Sequence, residues 1–339
     1  MFAVALARAP ACFVEAWRAA RLIQMATFDQ PPIFIVGHWR SGTTFLHNLM
    51  SRDPKFCFPT ITDVLRPYDF LPSPIEFISR SILLRNLPAT RPMDDLPVNP
   101  QLPQEEEIAL ATMAAPSFFN CFYFPRAMSA TFAAEVLFDN IDEETIRLWR
   151  EAMRYFLSKL VAINPGRRLL LKNPANSARI EHLLALFPGA KFIHIHRHPF
   201  AVFRSTRELY RRMLPLFALQ DYDDDGIDDH ILWAYPEVML RLLNGLESLP
   251  TTDVATLRFD DFLADPVASI ERIYRELDLG DFSSIRPRIQ GDVSGELREP
   301  AHNLDVDGAT ASRLALRWGS VLDRLGYRLH SSVQGPTKP

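Results

Sequence analysis

Apolar residues run unbroken from Ile33 to Val36, directly after Pro31-Pro32 and directly before Gly37. A short run without polar alternation predicts a strand buried on both faces. Residues 169–171, closing on Lys172, read the same way, and residues 191–196, which lead into Arg197, predict another strand. Between these runs the period becomes helical. From Thr43 onward Phe45, Leu46, Leu49 and Met50 share one side. Over 139–163 the apolar positions are Ile146, Trp149, Met153, Phe156, Leu157, Leu160 and Val161, with Asp142 as N-cap and Asn164-Pro165-Gly166 as the stop. Helices are also predicted over 177–187, from Phe200 onward, and over 228–249. Strands that alternate with helices imply parallel βαβ units, hence an α/β fold with a central parallel sheet flanked by helices.

Other stretches are less regular. Residues 12–25 predict an amphipathic helix with Phe13, Trp17, Leu22 and Met25 on one side and Glu15, Arg18 and Arg21 elsewhere. That helix is expected to dock on the domain surface; a homodimer contact or peripheral contact with a membrane are the other uses of such a face. The chain is thus divided into an N-terminal helix (1–30) and one domain (31–330) with a proline-rich insertion at about 54–125. In the insertion, 58–62 predicts a short strand and 67–87 short helices and loops lining a pocket for an apolar molecule. Arg91-Pro92-Met93-Asp94-Asp95-Leu96 follows. Then Pro103 and Glu105-Glu106-Glu107 open a helix, with acids against its positive end. Residues 221–229 predict a solvated acidic loop, and 291–307 an irregular loop carrying Arg298 and His302.

Composition narrows the classes. With 339 residues there is length for a substantial core, and a net charge of −4 argues against a nucleic-acid partner. Three cysteines (Cys12, Cys57, Cys121) have no metal or redox spacing, so reduced thiols in the cytoplasm are expected. No apolar run is long enough to span a membrane, and the N-terminus makes a poor signal peptide.

The candidate chemistry lies at the predicted strand ends, where open α/β sheets bind ligands. Gly37-His38-Trp39-Arg40-Ser41-Gly42-Thr43-Thr44 is a polar loop between strand and helix. Its two glycines let backbone amides approach an anion at a helix start. The Gly-x-x-x-x-Gly spacing fits a Walker A loop, but Thr43 stands where the lysine belongs. Arg40 is the loop's cation, which suits a 5′-phosphate carrying one transferable group and calls for no metal. Lys172 and Arg197 lie at the other two strand ends, and Ser205, eight residues on, joins Arg197 around one anion. His194 and His196 share a strand face, where packing and polar contacts are expected rather than metal binding. One of the three glutamates, Glu105 to Glu107, is a candidate general base; Glu105 and Glu107 point to different sides of their helix.

Taken together, these stretches resemble the sulfotransferases that use 3′-phosphoadenosine-5′-phosphosulfate, most closely a bacterial branch similar to protein-tyrosine sulfotransferases. Residues 34–44 resemble the family's 5′-phosphosulfate loop, and Arg197-His198-Pro199 through Ser205 its 3′-phosphate motif. Leu171-Lys172-Asn173-Pro174, Leu257-Arg258-Phe259 through Asp265-Pro266, and Trp318-Gly319 to Tyr327 add support. The resemblance implies a P-loop-like fold and sulfuryl transfer to an acceptor hydroxyl or amine, on a small molecule or lipid. It implies that Arg40, Ser41, Gly42, Thr43 and Thr44 hold the 5′-phosphosulfate, and Arg197 and Ser205 the 3′-phosphate. It further implies that Lys172 and Arg40 stabilise the transferring group, with Glu105 or Glu107 as base. Phe259 stands where many members have a tyrosine near the adenine. A P-loop nucleotide or small-molecule kinase is the main alternative, and a non-catalytic nucleotide- or lipid-binding protein a second one.

Overall fold

Five parallel strands form one sheet in the order β2-β3-β1-β4-β5. They are β1 (Ile33–Val36), β2 (Phe56–Cys57), β3 (Arg168–Lys172), β4 (Lys191–His196) and β5 (Val254–Arg258). The computed structural model describes residues 2–26, 28–91, 98–113, 115–296 and 307–327. β1 is central: Ile33 is in register with Leu170 of β3 on one side and Lys191 of β4 on the other. Its unbroken apolar run is explained by two covered faces. Phe34 and Val36 belong to one apolar cluster with Leu169, Leu171 and Phe192, whereas Ile33 and Ile35 belong to another with Leu170, Ile193 and Leu257.

Fourteen helices are described. Before the third strand come α1 (Phe2–Met25), α2 (Thr43–Met50), α3 (Ile61–Val64), α4 (Pro74–Arg85), α5 (Glu106–Thr112), α6 (Met128–Glu135) and α7 (Glu143–Ile163). After it come α8 (Ile180–Leu186), α9 (Pro199–Phe217), α10 (Asp224–Glu247), α11 (Phe259–Ala264), α12 (Pro266–Glu276), α13 (Arg286–Glu296) and α14 (Gly308–Arg324). Helices α7, α8, α9, α10 and α14 cover the Phe34 face with residues such as Trp149, Leu183, Val202, Val238 and Trp318. Helices α2, α11, α12 and α13 cover the Ile33 face with residues such as Leu46, Phe262, Ile270 and Ile289. Each side chain buried this way contributes roughly 1.5–3 kcal/mol. Among the described residues no helix is long and apolar enough to cross a membrane, and all three cysteines are free.

Several expectations are corrected. Residues 58–62 are not a strand: β2 is Phe56–Cys57, and Ile61–Val64 is helical. Thr60 and Asp63 form a capping box there, which stabilises a helical turn after Pro59. The acidic stretch 221–229 is loop only to Asp223, whose side chain caps α10. Asp228 is buried and pairs with Arg207 at 2.8 Å. The expected loop over 291–307 is helical to Glu296; Arg298 and His302, like residues 92–97, lie outside the described residues. The N-terminal helix does dock, but by the opposite face. Phe13 and Trp17 point to solvent, while Glu15 is buried, accepting from the amides of Phe70 (3.1 Å) and Leu71 (2.8 Å) and pairing with Lys159. The side chain of Met25 lies outside the described residues.

Candidate active site

The loop from Gly37 to Gly42 joins the central strand to α2, and its backbone is unusual at both ends. Gly37 (φ 146°) donates its amide to Ser177 Oγ at 2.9 Å, and a Cβ there would lie 2.2 Å from the Ile195 carbonyl oxygen. Gly42 (φ 96°) is the N-cap of α2, and a Cβ would lie 2.2 Å from the Phe259 ring. Neither position accepts a side chain. Arg40 also takes the left-handed conformation (φ 68°). No side chain caps α2, and Ser41 Oγ is buried with no hydrogen-bond partner. Thr43, buried, and Thr44 open the helix. An unsatisfied hydroxyl beside an uncapped helix start can take up the oxygens of an anion.

The predicted site residues fall into two adjoining groups. In the first, Lys172 at the end of β3 donates to Thr44 Oγ1 at 3.1 Å and pairs with Glu105, the N-cap residue of α5. In the second, Arg40 Nε donates to Ser205 Oγ at 2.7 Å, and Arg197 Nη1 donates to the Arg40 carbonyl at 3.2 Å. The Arg197 guanidinium lies 4.5 Å from the Phe259 ring centroid, and Phe259 is fully buried. Phe259 presents its ring to Arg197 and to Gly42 of the anion loop.

The three glutamates have three different surroundings. Glu105 is partly exposed beside Lys172, with 24% of its side chain accessible. Glu107 is buried, accepting from the Phe118 amide (2.7 Å), Asn173 Nδ2 (2.7 Å) and Arg179 Nη1 (3.2 Å). Glu106 is fully buried. Its Oε1 accepts from Asn176 Nδ2 at 2.6 Å and its Oε2 has no partner. Burial, with the charge of Glu107 beside it, pushes the Glu106 carboxyl up to about 7. His47, on α2, is driven down to about 3 by burial and by the charge of Lys172, so its ring is neutral and Nε2 pairs with the Leu170 carbonyl at 3.1 Å. His196 Nδ1 bonds the Tyr327 hydroxyl at 2.9 Å and stacks near His194, as packing and polar contacts.

Sequence reasoning missed the shelf under the loop: Asn176, Ser177 and Arg179. Ser177 grips Gly37 from both sides, accepting from its amide and donating to its carbonyl at 3.1 Å. The available signal was a run of small polar residues, Asn173 to Ser177, directly after a buried strand.

A sequence profile described as the sulfotransferase family matches residues 31–283. Two relatives, from Mycobacterium bovis and Mycobacterium tuberculosis, are named omega-hydroxy-beta-dihydromenaquinone-9 sulfotransferase Stf3. Each is 30% identical over 324 residues, covering 94% of this chain and 81% of its own. Among solved structures, sulfotransferase STF9 from Mycobacterium avium superposes with a TM-score of 0.73 at 20% identity, covering 90% of this chain and 79% of that one. Sulfotransferase STF1 from M. tuberculosis gives a TM-score of 0.58 at 15% identity, covering 90% and 81%.

Proposed function

Because the chain belongs to the sulfotransferase family, we propose that it moves a sulfuryl group from 3′-phosphoadenosine-5′-phosphosulfate to the hydroxyl of a lipophilic acceptor. The observation that carries this reading is Lys172, held between Thr44 of the anion loop and the carboxylate of Glu105. A cation, a helix start and a candidate base meet at one strand end.

Thr43, Thr44, Ser41 and the backbone of Gly42 hold the 5′-phosphosulfate. Arg197 and Ser205 hold the 3′-phosphate, and Arg40, in the 5′-phosphosulfate loop, reaches the transferring group when its bond to Ser205 is exchanged for substrate. The acceptor oxygen forms a bond to sulfur as the bond from sulfur to the 5′-phosphate oxygen breaks. The hydroxyl proton passes to Glu105. The products are a sulfate ester and adenosine 3′,5′-diphosphate. Lys172 offsets negative charge on the sulfuryl and bridging oxygens from a fixed position. Between the two candidate bases, accessibility favours Glu105: Glu107 is enclosed, and its bonds to Phe118, Asn173 and Arg179 suit a positioning role. The lipophilic acceptor is supported by the menaquinone-derived substrate in the relatives' name.

Turnover tests the assignment. Lys172→Ala is expected to lower kcat by roughly 100- to 1,000-fold, and Glu105→Gln by roughly 100-fold or more. Glu107→Gln should lower stability more than kcat. Near-wild-type turnover in both Lys172→Ala and Glu105→Gln removes this chemistry from the strand end.

A further inference from the structure

Charged and apolar residues of α1 and α4 are sorted by face. Phe13, Val14 and Trp17 of α1 are 80%, 53% and 76% exposed, and Phe77, Ile78 and Ile82 of α4 are 71%, 61% and 58% exposed. Their spacing places each trio on one side of its helix. Arg21 follows Trp17 by one turn, Arg85 follows Ile82, and both are exposed, as is Arg80. Each helix has a single acidic residue, Glu15 and Glu76. Both are turned inward and paired, Glu15 with Lys159 and Glu76 with Arg66. The two helices flank one open groove of about 340 Å³ lined by Val14, Arg18, Ser73, Pro74 and Ser79 together with the carboxylates of Glu15, Asp69 and Glu76, each of which is paired, with Lys159, Arg8 and Arg66. Arg18 donates to the Pro72 carbonyl at 3.0 Å.

A chain of net charge −4 therefore presents, around six exposed large apolar side chains, arginine as the charged group facing outward. Apolar side chains with a basic rim suit an interface where acyl chains meet anionic headgroups. A second copy fits less well, since a two-fold contact on this face brings arginines against arginines. We infer that the outward faces of α1 and α4 form a docking surface for an anionic lipid bilayer. α3 packs against both α4 and α5, and Glu105 is the N-cap residue of α5, so the docked face adjoins the side of the molecule that leads to the strand-end chemistry. That an acceptor enters from the bilayer rests on the function proposed above; the docking itself does not.

The test is vesicle binding by the full chain, with no donor or acceptor present, so its failure leaves the reading of the active site untouched. Vesicles of phosphatidylcholine alone are compared with phosphatidylcholine and phosphatidylglycerol mixed two to one. The chain should co-sediment with the mixed vesicles and bind neutral ones far less. Arg21→Gln with Arg85→Gln should weaken binding by about 30-fold. Trp17→Glu with Phe77→Glu should abolish it without changing Tm, because both side chains face solvent. Of the five tryptophans, Trp39, Trp149 and Trp318 are buried, Trp233 is half-buried, and Trp17 is exposed. Brominated lipid should therefore quench fluorescence in the wild type and not in Trp17→Phe. Absence of binding to the mixed vesicles, or equal binding to both kinds, overturns the inference. So does a dimer that Trp17→Glu with Phe77→Glu dissociates while vesicle binding is unchanged.

Discussion

Glu106 sits between two other carboxylates and is the one the fold holds most expensively. It is fully buried, with one oxygen bonded to Asn176 and the other without a partner. Its carboxyl rises from an ordinary value of 4.5 to about 7. The folded chain thus keeps a proton that the unfolded chain has already released. Its contribution to stability is complete below about pH 4.5 and is lost as pH rises to about 7. Glu106→Gln keeps the shape and removes the titration. Denaturation at pH 5 and pH 8 should show a flatter pH dependence in the variant, and at pH 8 a gain of about 3 kcal/mol over the wild type. An unchanged slope would place the proton elsewhere. The sequence showed three adjacent acids but not their separate fates. Those depend on Asn173, Asn176 and Arg179, which reach Glu106 and Glu107 from far along the chain.

Among elements, β1, β3, β4 and the long helices were legible because their apolar pattern is set by burial on the sheet, whereas β2 was placed two residues too late. β1 is found where an unbroken apolar run predicted it and β4 where the stretch 191–196 was read as a strand, and α7 begins after Asp142, whose side chain accepts from the Thr145 amide at 2.8 Å. α1 was legible as a helix and misread as to its face. A glutamate on a helix normally marks the wet side, but Glu15 meets the buried ammonium of Lys159, which also donates to the Pro67 carbonyl at 2.7 Å. No local pattern announces a partner 144 residues away. Burial pushes the Lys159 ammonium down, and Glu15 opposes that shift. Glu15→Ala leaves a buried cation without its counter-charge and two amides unpaired, and should cost about 3–5 kcal/mol by chemical denaturation. Replacing Glu15 and Lys159 together by methionine should recover much of that loss. A mild effect of Glu15→Ala alone would mean that α1 is held by other contacts.

For the whole molecule, the sequence identified the strand ends but not their adjacency. β1 lies between β3 and β4, so the loops that follow these three strands are neighbours, and Arg40 reaches Ser205 across 165 positions. Adenosine 3′,5′-diphosphate, which on the function proposed above engages both groups, should stabilise the folded chain without metal. At 100 times its Kd the gain is about 2.7 kcal/mol, or a Tm rise of roughly 4 °C. ATP with magnesium, lacking the 3′-phosphate, should give a smaller shift; an equal or larger one would return the kinase reading. The Gln104 amide donates to the Pro59 carbonyl at 2.8 Å, one residue before Glu105. That bond cinches the neck of a forty-odd-residue excursion, and the glutamates behind it are fastened to the sheet by their own partners. The tie returns the chain from that excursion to the point where Glu105 meets Lys172.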